Sequence, residues 1–149
     1  MYTFVLSLHS IIRWLVLLAG IAAAVRAIIG WRSQSEWTPV DSRLGLGFMI
    51  GVDVQTLLGL ILYVFLSPVT ERAFEDFGAA MANDETRFFA VEHIFFMILV
   101  LLLAHAGRSL PKRATEAVRK HKMAAITFAL AVAAILVAIP WDRPLFRLG

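Results

Sequence analysis

The stretch FVLSLHSIIRWLVLLAGIAAAVRAII, residues 4–29, decides how this chain must be read. Its only charges are Arg13 and Arg26. A helix rises about 1.5 Å per residue, so roughly 20 apolar residues cross a bilayer's hydrocarbon core. This run is longer than that. Three more runs approach or exceed the same length: Leu44–Leu66, Phe88–Ala106 and Met123–Ile139. The runs predict helices over about residues 4–30, 44–67, 88–106 and 122–139. The predicted fold class is all-α. It is a transmembrane four-helix bundle, running up-down-up-down, with residues 1–149 as a single integral membrane domain. Composition points the same way. Hydrophobic residues make up 60% of the chain and charged residues 17%, against roughly 25% charged in soluble domains.

The flanks orient the bundle. Between the third and fourth runs lie Arg108, Lys112, Arg113, Arg119, Lys120 and Lys122, against one acid, Glu116. Between the second and third lie Glu71, Glu75, Asp76, Asp84 and Glu85, with Arg72 and Arg87. Lys and Arg beside a span mark the cytoplasmic side. Loops one and three are therefore expected inside, and loop two and both termini outside. Ala22-Ala23-Ala24 resembles a signal-peptide cleavage site, but no positive charge precedes His9 and Arg13 interrupts the apolar region. The run is read as a retained first helix.

Several chemistries are excluded. The chain has no cysteine, which rules out disulfides, a covalently attached c-type haem, iron–sulfur clusters and thiolate metal sites. A haem held by histidines alone remains open. No basic stripe interleaves with exposed aromatics, so no nucleic-acid partner is expected. The basic third loop suits lipid headgroups instead. No serine, histidine and acid stand at matched depth for a hydrolase, and no glycine-rich phosphate loop follows a strand.

The candidate site rests on His9 in the first run and His93 in the third. Both lie about one turn inside the outer boundary, so they are level to within roughly 6 Å, one helical turn. In a four-helix bundle the first and third helices are diagonal neighbours across the core. Facing imidazoles there could ligate one metal centre. Arg13 and Val16 follow His9 on its helical face, and Gly20, eleven residues on, offers room for a flat macrocycle. Met97 and Val100 follow His93 at four- and seven-residue spacing. Arg13, costly inside hydrocarbon, needs a partner: a haem propionate, Glu92 or Asp53. Groups to hydrogen-bond and orient the imidazoles could come from Ser7, Ser10, Glu92 or backbone carbonyls. No second pair faces across the other end, since His105 and His121 are expected to snorkel towards the basic surface. The count stops at one haem.

Helix two carries Asp53, Gln55 and Thr56 near mid-bilayer, where an ionised carboxylate is expensive unless paired. Asp53, Gln55 and Glu92 are read as a proton or polar relay, with quinone as a possible contact. The alternative is a buried clasp between helices. Gly47 and Gly51 offer a face for close helix packing. Tyr63, Trp31, Trp37 and Trp141 suit interfacial belts. Pro140 stops the fourth helix, and the tail through Asp142, Arg143, Phe146 and Arg147 reads as a surface anchor or a cap on the pocket.

Four segments together resemble one family. They are Leu8-His9-Ser10-Ile11-Ile12-Arg13-Trp14, Gly59-Leu60-Ile61-Leu62-Tyr63, Arg87-Phe88-Phe89-Ala90-Val91-Glu92-His93, and the end from Ile139-Pro140-Trp141 to Arg147. The family comprises small four-helix bacterial membrane proteins of the kind frequent in Bacteroidota, labelled cytochrome b-like. The resemblance spans nearly the whole chain. Where members often carry His-x-Gln, this chain has Asp53-Val54-Gln55, so the resemblance carries no helix-two ligand over and leaves His9 and His93 as what matches. The resemblance implies haem b, electron transfer and a place in the bacterial cytoplasmic (inner) membrane, alone or in a respiratory or photosynthetic complex. Two alternatives stand beside it: a cofactor-free accessory subunit of a membrane complex, and a copper-handling protein using His9, His93 and Met97.

Overall fold

A computed structural model describes Met1–Trp141, and every regular element in it is helical. Seven α-helices follow in order: α1 (Tyr2–Arg32), α2 (Pro39–Ile61), α3 (Pro68–Glu75), α4 (Phe77–Ala82), α5 (Asp84–Arg87), α6 (His93–Ser109) and α7 (Ala117–Ala138). Two single π-helical turns interrupt the pattern. Leu62–Leu66 extends α2, and Phe88–Glu92 joins α5 to α6. Four continuous helical stretches, Tyr2–Arg32, Pro39–Leu66, Asp84–Arg113 and Ala117–Ala138, are long and apolar enough to cross a membrane. Their outward faces carry Leu15, Leu18, Leu57, Phe65, Phe95, Leu102, Leu130 and Val137, all more than half exposed. In water such a surface would be a large apolar liability. In lipid it is the expected solvent-facing side.

The helix starts are written in local chemistry. Asp41 accepts from the Thr38 amide at 2.8 Å and from the Thr38 hydroxyl at 2.6 Å, with Pro39 at the first helical position. Helix α2 therefore begins at Pro39, five residues before the apolar run at Leu44. Asp41 also takes the Arg26 guanidinium at 2.8 Å, tying the end of α1 to the start of α2. The acidic stretch expected as a loop is instead three short helices. Each begins at a capping side chain: Ser67 accepts from the Thr70 amide, Asp76 from that of Ala79, and Asn83 from that of Thr86.

Around the bundle, α1 packs on α2 and α7, and α6 packs on the same two helices. Helices α1 and α6 thus face each other diagonally. The core is thin because small residues line it. Ala23, Ala24 and Ala27 of α1 meet Ala124, Ala125, Ala131 and Ala134 of α7 in one buried cluster. Without a hydrophobic force between helices in lipid, close backbone approach of this kind supplies the packing energy. Two phenylalanines fill what the small residues leave. Phe48 and Phe128 stand edge to face with centroids 5.6 Å apart. A Cβ added at Gly20 would sit 2.7 Å from Phe48 Cε2, and one at Gly45 would sit 3.1 Å from Phe128 Cζ. Gly107 likewise lies directly against Phe128. Of the expected small-residue pair on α2, Gly51 faces Val16 of α1, whereas Gly47 faces open space.

Gly20→Val is expected to overpack the Phe48 seat and cost ~1–3 kcal/mol. Thermal melting of purified protein in detergent, followed by circular dichroism, should show a lowered midpoint. An unchanged midpoint would mean Phe48 does not occupy that groove.

Candidate functional site

The faces that carry the two histidines converge. On α1, His9, Arg13 and Val16 recur at four- and three-residue steps. On α6, His93, Met97 and Val100 do the same, and on α2, Val52, Gln55 and Gly59 share one stripe. All nine residues line one cleft, together with Tyr63, Phe89, Ile135 and Ala138. The His9 and His93 ring centroids are 6.4 Å apart, with 65° between their planes. The diagonal pair therefore meets across the bundle, under α3, whose Val69 and Thr70 form part of the roof.

Each imidazole is held by a different device. His93 Nδ1 lies 2.9 Å from the Ala138 carbonyl oxygen. A carbonyl only accepts, so Nδ1 carries the proton and Nε2 keeps its lone pair. That carbonyl is available because α7 ends there, ahead of Pro140, and the last turn of a helix has unpaired carbonyls. His9 is seated by Gly59, where an added Cβ would lie 3.3 Å from His9 Cε1. Gln55 fixes the same level of α1 by donating from Nε2 to the His9 backbone oxygen at 2.9 Å. Two atoms of this contact, His9 Nδ1 and Gln55 Oε1, are buried without a hydrogen-bond partner. A buried polar atom left unsatisfied costs about 1–3 kcal/mol and asks for an explanation.

The two π turns brace the roof. A π turn shifts the helical hydrogen-bond register and leaves a carbonyl without its usual partner, and such turns favour functional sites. Tyr63, in the first π turn, donates its hydroxyl to the Ala90 carbonyl in the second at 2.7 Å. Thr70, in α3, donates to the Tyr63 carbonyl at 2.8 Å. Tyr63 is thus a wall of the cleft and a tie between its two rims.

Other expected site residues lie elsewhere. Gly20 is on the His9 face but deeper, and its space is taken by Phe48. It does not border the cleft. Glu92 pairs with Arg87 at 2.8 Å, on the rim, and so partners neither His93 nor Arg13. Asp53 points away from the cleft. Two residues on an α-helix are about 200° apart, so the turn that buries Gln55 exposes Asp53. Its carboxylate pairs instead with His105 Nε2 at 2.7 Å. His105 therefore reaches across to α2 and does not extend towards the basic surface. His121 does not snorkel either. It is fully buried, seated against Gly30, its ring tilted against that of Trp37 with centroids 4.9 Å apart, and with Nε2 3.3 Å from the Glu36 carbonyl. Arg13 lines the cleft, its guanidinium 5.4 Å from the Trp14 ring centre. The tail beyond Trp141 lies outside the described residues, although Ile139 and Pro140 reach the cleft wall.

Among the described residues, no group of three or more His, Cys, Asp or Glu side chains could hold a metal ion. The site's donors are two imidazoles. No protein family, curated protein or solved structure matches this chain.

Gly59→Leu is expected to push the His9 ring off its seat while leaving helix content intact. Tyr63→Phe should remove one hydrogen bond, worth about 0.5–1.5 kcal/mol, and loosen the rims. Faster amide exchange confined to residues 62–66 and 88–92 would register it. Uniform exchange rates would show that the tie holds nothing.

Proposed function

We propose that the cleft holds one b-type haem, with His9 and His93 as its axial ligands, and that the protein carries electrons. The supporting observation is the spacing of the two rings. Metal–nitrogen bonds of roughly 2 Å put each ring centroid roughly 3 Å from a shared ion, hence about 6 Å from each other. The rings are 6.4 Å apart. Rotation about a common axis is free, so 65° between the planes is compatible. The His93 tautomer fits as well: its Nδ1 is committed to Ala138, and Nε2 is the nitrogen left to bind metal. Metal-bound histidines ordinarily donate their other ring N–H to a backbone carbonyl or carboxylate in this way.

When bound, the haem iron would take up and release one electron at a time. The chain's own residues supply the setting. Met97, Val100, Val16 and Val52 give apolar walls that keep out water. Arg13 offers a cation to the acidic edge of the group. Gly59 leaves space for the His9 ring, whose Nδ1 is buried without a hydrogen-bond partner. In this reading the four spans run up-down-up-down in a bacterial cytoplasmic membrane. Both termini and the three short helices are on the outer side, and the basic segment after α6 is inside.

Reduced-minus-oxidised absorption spectra of protein purified from haem-replete cells test the reading. A Soret band and a low-spin α band should appear, and either His9→Ala or His93→Ala should abolish them. A folded but colourless protein would leave the accessory-subunit reading standing and remove this one. Bound copper without iron would favour a soft site completed by Met97.

A further inference from the structure

The His105–Asp53 pair has no role in the histidine cleft, yet it is built. Its side chains are 49% and 41% exposed, and both belong to stretches apolar enough to span a membrane. The pair joins α6 to α2 on the perimeter of the bundle. Asp53 is six residues from Gly59, about 9 Å along α2, and His105 is twelve residues from His93, about 18 Å along α6. The pair thus lies deeper than the two histidines, on the outer surface of the bundle. Within the hydrocarbon core the second carboxylate oxygen and the outer imidazole nitrogen would have no water to satisfy them, and an ionisable group there is expensive unless it has a task.

The cleft above opens towards the same seam. Leu60 and Ile98, on α2 and α6, line it while remaining 44% and 51% exposed to the outside. Thr56, one turn from Asp53, lines it too. An apolar side opening with a hydrogen-bonding dyad at its foot describes a berth for a molecule that travels in the bilayer. Its tail would stay in lipid and its head would hydrogen-bond at mid-depth.

The dyad selects among such molecules. The carboxylate orients the imidazole through Nε2. With Nε2–H donating to it, Nδ1 of the neutral ring accepts from a hydroxyl, Nδ1 of the protonated ring donates to a carbonyl, and the free carboxylate oxygen accepts only. An anionic fatty-acid head would be repelled by Asp53, and phospholipid heads stay at the interface. A quinone, with carbonyl acceptors, and its hydroquinone, with hydroxyl donors, each match one state of the pair. We infer that the α2–α6 seam binds the head of a lipid-soluble quinone or hydroquinone at His105 and Asp53. This goes beyond the haem reading and does not need it.

The test is equilibrium binding of a radiolabelled short-chain ubiquinone, and of its menaquinone counterpart, to the full chain in phosphatidylcholine nanodiscs, corrected against empty discs. At least one should bind. His105→Gln and the near-isosteric Asp53→Asn should each raise Kd about tenfold or more, as loss of a hydrogen bond to a charged group implies. His93→Ala should leave Kd unchanged. Melting curves of the two seam variants keep a folding defect apart from lost binding, and Asp53→Asn preserves the volume of the site. Several results would overturn the inference: no binding by the parent protein, equal binding by both folded seam variants, or loss on His93→Ala alone, which would move the quinone into the histidine cleft. A missing Soret band with seam-dependent quinone binding would remove the haem proposal and leave this one.

Discussion

Inside a bilayer no water completes a hydrogen bond, so each polar group in the four long helices must find its partner within the chain or on a ligand. Much of the architecture follows from that constraint. Asp41 is enclosed by Thr38 and Arg26. Gln55 spends its amide on the backbone of α1. Tyr63 and Thr70 satisfy carbonyls that the π turns disturb. Asp53 and His105 find each other across a seam. His9 Nδ1 and Gln55 Oε1 are among the buried polar atoms left over, and both residues line the one cleft.

Small residues make the convergence possible. Glycine at 20, 45 and 107 admits Phe48 and Phe128 into the middle of the bundle, which draws the helices together below the cleft. Gly59 does the same service for an imidazole. The cleft remains open above this aromatic plug because the roof is not a span. Helix α3 closes one side of it, started by its Ser67 cap and pinned through Thr70 to Tyr63, which in turn is tied to Ala90. Packing at the foot and hydrogen bonding at the rim divide the work of holding the site.

Length and apolarity made the four long helices legible in the sequence, and equal depth on alternate helices made the His9–His93 meeting legible too. The faces His9-Arg13-Val16 and His93-Met97-Val100 also line the cleft as their spacing implies. What could not be read was rotation of one helix relative to another. Asp53 and Gln55 are two residues apart, and nothing local says which of them turns inward. Gly20 shares the His9 face, but only the packing reveals that Phe48 fills its groove. His121 appeared to be a boundary residue because Gly30, which seats it, is ninety-one positions earlier in the chain. The three short helices are a different case. Ser67-Pro68, Asp76 and Asn83 are ordinary capping signals, outweighed by the acidic composition of the stretch.

The proposed haem site needs both His9 and His93, one from each of two diagonal helices. Low-temperature electron paramagnetic resonance of the oxidised, purified protein addresses it directly. The predicted result is a low-spin ferric signal from one haem per chain, lost when His93 is replaced by alanine. A high-spin signal, or a low-spin signal that survives removal of either histidine, would contradict it.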